Sequence, residues 1–296
     1  MRARRVSRPG WVVGPVVVAV VVLVPVAMLV SSILRPNTAL WREQWSTRLP
    51  DQLVTTIVLT ASVVVASTVL GVSLGWLVGA HRFPGRGLLS WALVLPLAMP
   101  SYILGFVTTA VFDVAGPVQT WWRDAFGREA WFPEVRSLPG AVVTLTLTLY
   151  PYVYLLTRTA LRDQAATAAL VARTLGAGRG EVARRVVLPM LRPAVAAGAA
   201  IVAMETLTDF ATVQYFNQET ITVGVFRIWR GTYDRDAASE LATLVLAFAL
   251  LAIALERLLR GEARFGEAAG EAGRVEPLRL RGWRAAAATA ACAAVV

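Results

Sequence analysis

The chain has 296 residues, of which 56% are hydrophobic and only 16% charged, with a mean hydropathy of +0.59. Soluble domains carry about 25% charge, and apolar runs long enough to cross a bilayer recur here, which excludes a soluble enzyme. The net charge of +10 rests on 29 basic residues, all of them arginine. They sit between apolar runs rather than along one polar face, which argues for membrane topology and against nucleic-acid binding.

Six complete spans are expected at about 11–34, 53–80, 88–112, 139–157, 194–216 and 240–258. A seventh apolar stretch, 285–296, is shorter than the roughly 20 residues that cross the hydrocarbon core. It is expected to be the start of a further span in a longer protein. With the N-terminus in the cytoplasm, twenty arginines fall in inside segments and nine in outside ones. That is the positive-inside pattern, and the opposite orientation reverses it.

The Arg-rich start resembles a secretory signal, but its apolar run of about 24 residues exceeds the usual 7–15, so an uncleaved first span is expected. In the second span Gly71, Gly75 and Gly79 form one flat stripe against which another helix backbone can pack closely. Pro96 and Pro100 are expected to bend the third span. Trp41, Trp45, Trp121, Trp122 and Trp131 cluster in outside loops, as interfacial anchors do. The loop 113–138 is expected to lie partly along the outer surface.

The fifth span is alanine-rich and carries two carboxylates. An acid at the bilayer centre costs about 2.5–3.5 kcal/mol, whereas a strong apolar residue returns about 0.3–0.6 kcal/mol. This helix therefore belongs inside a bundle. Glu205, Thr208, Asp209 and Thr212 follow the spacing of one helical face. Two readings stay open: a translocation pathway, or acids bonded to Arg158, backbone amides or hydroxyls that hold the bundle together. An intramembrane aspartyl protease needs a second aspartate on another span, and none is visible. The single histidine, His81, and single cysteine, Cys292, leave little for a metal site or a disulfide framework. No metal or cofactor is expected.

The inside segment 158–193 is long and patterned. Two short helices are expected around the turn Gly176, Gly178 and Gly180. Those glycines follow no strand, and without lysine there is no Walker A motif. The segment resembles the coupling motif of ABC-importer permeases: an E-A-A triplet, three residues, glycine, nine residues, then I-x-L-P. Here Leu170, Val171 and Ala172 occupy the triplet, Gly176 the glycine, and Val186, Leu188 and Pro189 the end. The first two triplet positions depart from the pattern, which removes the glutamate's polar contact. Residues 204–216, 222–229 and 233–235 are similar to stretches of ferric-iron permeases.

The resemblance implies an all-α, six-span type I permease fold plus the start of a seventh span. Residues 1–260 would be one permease domain, 261–284 a cytoplasmic linker and 285–296 the start of a second repeat. It implies a multi-pass bacterial inner-membrane subunit of an ATP-driven importer, with ferric iron as cargo. Thiamine, polyamine, sulfate or phosphonate permeases share the architecture. The implied partners are cytoplasmic ABC ATPase subunits, an extracytoplasmic binding protein, and a second permease half or another copy. Segment 170–189 would dock on the ATPase, with Gly176 permitting a sharp turn. Segment 217–238, with Glu219, Asp234 and Asp236, would face the binding protein. ATP hydrolysis would belong to the separate subunits, so the chain itself is not expected to be an enzyme. A channel or secondary transporter would use the Glu205/Asp209 face but would not need the coupling motif.

Overall fold

The computed structural model describes residues 10–32, 34, 36–162, 172, 174–233, 235–260 and 278–296. Among these, six helical runs are long and apolar enough to cross a membrane. In chain order the helices are α1 (Gly10–Ser32), α2 (Thr38–Thr47), α3 (Leu49–Ala80), α4 (Arg86–Ala92), α5 (Ser101–Phe112), α6 (Pro117–Phe126) and α7 (Leu138–Ala160). They continue as α8 (Arg179–Val182), α9 (Leu188–Thr208), α10 (Ala211–Tyr215), α11 (Ile221–Thr232), α12 (Arg235–Arg260) and α13 (Trp283–Ala293).

The apolar runs give the long helices, and local chemistry sets their ends. Ser137 precedes α7 and its hydroxyl accepts from the Gly140 N–H at 3.4 Å, with Pro139 in the first turn where no donor is lost. Thr220 does the same for α11 through Val223. At 32 residues α3 is about 48 Å long at 1.5 Å per residue. It therefore runs beyond a hydrocarbon core of about 30 Å.

The third span differs from the expected bent helix over 88–112. It is broken into α4, a 3-10 turn at Leu95–Ala98 and α5, and the helical run continues through a turn into α6. Pro96 lies in the 3-10 turn, and Pro100 sits at the N-cap of α5. Two prolines four residues apart remove successive backbone donors, so the ladder stops rather than kinks. The expected outer loop thus contains a helix. Its Trp122 packs against Phe126 at a 4.3 Å centroid separation, while Trp121 and Trp131 stay exposed.

The core is centred on α3 and α7, with α9 packed against both and against α12. The glycine stripe is where α3 and α7 meet. A Cβ at Gly71 would stand 2.7 Å from Val153 Cβ and 2.9 Å from the Tyr150 carbonyl, and one at Gly75 would stand 3.0 Å from Thr157 Cβ. Gly79 faces the Leu161 side chain less tightly, with Cδ1 at 3.1 Å the nearest atom. Fully buried Leu59, Val63, Leu145, Val153 and Val202 fill the contact.

At one end of the bundle, strand β1 (His81–Arg82) pairs in parallel with β2 (Leu278–Arg279). This seats α13 beside α4. Buried Ala285, Ala288 and Cys292 then pack with Leu74, Val78, Tyr150 and Tyr154.

Candidate translocation pathway and coupling segment

The expected stripe over residues 205–212 is not one helical face. Helix α9 stops at Thr208, Asp209 is extended, and α10 begins at Ala211. The cause is the Asp209 side chain. Its Oδ1 accepts the Thr212 N–H at 2.8 Å and its Oδ2 accepts the Thr212 hydroxyl at 2.7 Å. A short carboxylate bonding to backbone three residues on competes with the helical ladder and starts a new helix. The break leaves α9 carbonyls in need of donors; that of Leu207 is met by the Thr222 hydroxyl at 3.1 Å.

The four residues consequently separate. Thr212 is fully buried, and its methyl lies where α5 crosses, since a Cβ at Gly105 would stand 2.9 Å from it. Asp209 is half-buried. Glu205 and Thr208 are exposed on α9, the Thr208 hydroxyl donating to the Met204 carbonyl at 2.9 Å. Arg158 does not serve these acids: its Nη1 donates to the Ser90 carbonyl at 3.3 Å and its guanidinium stacks on the Tyr154 ring. Asp209 thus shapes the backbone, whereas Glu205 presents a carboxylate on the open flank of a membrane helix.

In segment 170–189, Leu170 and Val171 lie outside the described residues. Ala172 packs with buried Val182, Val187 and Leu191 against Ala160 and Leu161 at the end of α7. The Ala177 N–H donates back to the Ala172 carbonyl at 3.1 Å, and Gly176 has φ +90°. A six-to-one bond over a left-handed glycine is the Schellman helix end. Only glycine adopts that φ without strain. Past the turn, residues 183–187 form a π-helical turn, and Leu188 and Pro189 open α9. Val186 is half-buried, while Leu175, Gly176 and Leu188 are exposed. One side of the segment is thereby anchored to α7, and the other presents Leu175, Leu188, Arg184 and Arg185 outward.

At the opposite end, Glu219 is ion-paired with Arg227, and Asp236 sits in the first turn of α12, where the helix dipole favours it. Asp234 lies outside the described residues. Among the described residues no three His, Cys, Asp or Glu side chains gather as a metal site.

Two buried polar residues escaped the sequence reading. The Thr56 hydroxyl accepts the Ile221 N–H at 3.0 Å, fixing α11 on α3. Glu240, 2% exposed, accepts from Asn37 and Trp41. A carboxylate at the first turn of an apolar run was the available signal for the second, but it reads equally as a loop charge.

Residues 71–260 match the family model described as binding-protein-dependent transport system inner membrane component. The chain is 29% identical over 261 residues to the sulfate transport system permease protein CysT of Escherichia coli (strain K12), covering 84% of this chain and 90% of that one. It is 30% identical over 254 residues to the molybdenum transport system permease protein ModB of Mycobacterium bovis, covering 83% and 92%. To the Fe(3+)-transport system permease protein FbpB 2 of Haemophilus influenzae it is 24% identical over 215 residues, covering 73% of this chain and 38% of that one. In fold it is similar to a bacterial ABC transporter involved in the import of alginate, with a TM-score of 0.66 at 13% identity, covering 86% of this chain and 98% of that one.

Proposed function

This chain belongs to the inner-membrane components of binding-protein-dependent transport systems and is a multi-pass permease subunit of an ABC importer, and we propose that its cargo is ferric iron. The observation that carries this is Glu205, a carboxylate exposed on a membrane helix one turn from the Asp209 break. A negative charge on the transport route attracts a cation and repels a sulfate or molybdate dianion, and the repulsion grows as water is excluded. Carboxylate and hydroxyl oxygens are also the ligand type that hard cations favour. The likeness of 204–216, 222–229 and 233–235 to ferric-iron permeases supports the same reading.

In this reading an extracytoplasmic binding protein delivers cargo to the side bearing Glu219 and α11. ATPase subunits engage the segment around Gly176 on the cytoplasmic side, where the N-terminus also lies. Residues 1–260 act as one six-span unit and pair with a second unit across the pathway. Glu205, with Thr208 beside it, provides a transient carboxylate contact during passage. Asp209 and Thr212 hold the helix break that sets its position.

A second reading, an oxyanion cargo, is favoured by the length over which the sulfate and molybdenum permeases align. Uptake of radiolabelled ferric iron, sulfate and molybdate in a deletion strain, with and without the complementing gene, separates the two. Iron uptake that returns with the gene and stops on ATP depletion is expected. Unchanged iron uptake with lost sulfate or molybdate uptake would replace iron by the oxyanion.

A further inference from the structure

Three stretches of the chain, 76–99, 150–162 and 278–296, hold seven arginines. The fold brings them together at the end of the bundle from which the coupling segment emerges. Arg82 is the ladder partner of Arg279 in the β1–β2 pair. The Tyr154 hydroxyl and Arg158 Nη1 both donate to the Ser90 carbonyl, at 3.1 and 3.3 Å, which ties the end of α7 to α4. Arg86 Nε donates to the Val78 carbonyl at 2.8 Å, turning its guanidinium back over the end of α3. The charges of Arg162, Arg158 and Arg82 all bear on Arg86.

One donor there lacks an acceptor: Arg158 Nε is buried and has no hydrogen-bond partner. Beside it α4 presents Leu88 and Trp91 outward, 72% and 64% exposed. An apolar flank with an interfacial tryptophan is where an acyl chain meets the headgroup layer.

We propose that Arg86 and Arg158 form the centre of a binding site for the phosphate of an anionic lipid headgroup, with Leu88 and Trp91 flanking its acyl chain. Guanidinium groups suit phosphate because their N–H donors match its oxygens in pairs. Basic pockets between membrane helices hold anionic headgroups in this way. The apolar flank selects a lipid phosphate over a free one. The site is independent of the cargo, so its failure would leave the transport assignment untouched.

The test uses the full chain, delipidated and returned to vesicles of phosphatidylcholine alone or mixed with phosphatidylglycerol. Retained lipid is read by native mass spectrometry. Preferential retention of phosphatidylglycerol is expected, weakened roughly fivefold for each guanidinium lost in Arg86→Gln and Arg158→Gln. It should be unchanged in Arg42→Gln on α2. Should either site variant fail to fold, the wild-type melting midpoint in the two lipid mixtures decides, with a rise in phosphatidylglycerol alone expected. Equal retention of the two lipids and equal midpoints overturn the site. Stabilisation by inorganic phosphate that matches the lipid effect overturns the lipid assignment.

Discussion

The indole Nε1 of Trp41 donates to a carboxylate oxygen of Glu240 at 2.6 Å, across 199 residues of sequence. The other carboxylate oxygen accepts the Asn37 N–H at 3.0 Å, so one buried side chain holds both the start of α2 and its first aromatic residue. Truncation would remove the carboxylate that both donors share, and a hydrogen bond to a charged group is worth about 1.5–3 kcal/mol. Glu240→Ala is therefore expected to lower the melting midpoint in detergent clearly, and Glu240→Gln, which keeps one acceptor oxygen, by less. A Glu240→Ala protein that melts with wild type would show that the latch contributes nothing.

Along α3 the glycine stripe predicts a gradient. A methyl at Gly71 meets Val153 Cβ at 2.7 Å and the Tyr150 carbonyl and Tyr154 nitrogen at 2.9 Å, and that backbone cannot retreat without moving α7. At Gly79 the nearest atom is Leu161 Cδ1 at 3.1 Å, the end of a flexible side chain. Overpacking a close contact costs about 1–3 kcal/mol. Gly71→Ala should reach that range, Gly75→Ala should fall between, and Gly79→Ala should be mild. Melting midpoints of the three variants check the order, and equal losses at Gly71 and Gly79 would sink it.

That the chain carries six apolar membrane-length helical runs was legible, because membrane length selects for little beyond a long apolar run. The glycine stripe was legible because its spacing of four repeats one helical face. What the pattern missed depends on competition between side chains and backbone. The run 88–112 carries no polar signal at Leu95–Ala98, yet two prolines end the helix where one would bend it. The 205–212 spacing is genuinely helical, but Asp209 bonding to Thr212 outcompetes the ladder and moves Thr212 into the core. Glu240 is a long-range case, since its partners lie about 200 residues upstream.

Glu205 and Asp209 should part company under mutation. Asp209 holds the start of α10, and loss of a capping carboxylate costs about 0.5–2 kcal/mol. Asp209→Ala should therefore lower both the melting midpoint and uptake, while Asp209→Asn, still an acceptor for the Thr212 N–H, recovers most of the stability. Glu205 is exposed and has no such structural duty, so Glu205→Gln should melt as wild type and still transport more slowly. Normal uptake in Glu205→Gln, measured with the radiolabelled cargo, removes it from the pathway.

The last prediction concerns Gly176, whose φ of +90° makes the turn that leads into α8. A side chain in left-handed backbone costs roughly 1–2 kcal/mol, and here the strain acts directly beside exposed Leu175, 82% accessible. Gly176→Asp adds a charge to that tip as well. ATPase subunits should then fail to co-purify, although the six spans, anchored through Val182 and Leu191 against Ala160 and Leu161, insert and melt normally. Gly178 provides the control: it has no positive φ, and a Cβ there meets nothing within 4 Å. Gly178→Ala should leave association unchanged. Wild-type recovery of ATPase with Gly176→Asp would place the docking contact elsewhere on the cytoplasmic face, because among the described residues of the segment no other position combines exposure with a backbone that only glycine tolerates.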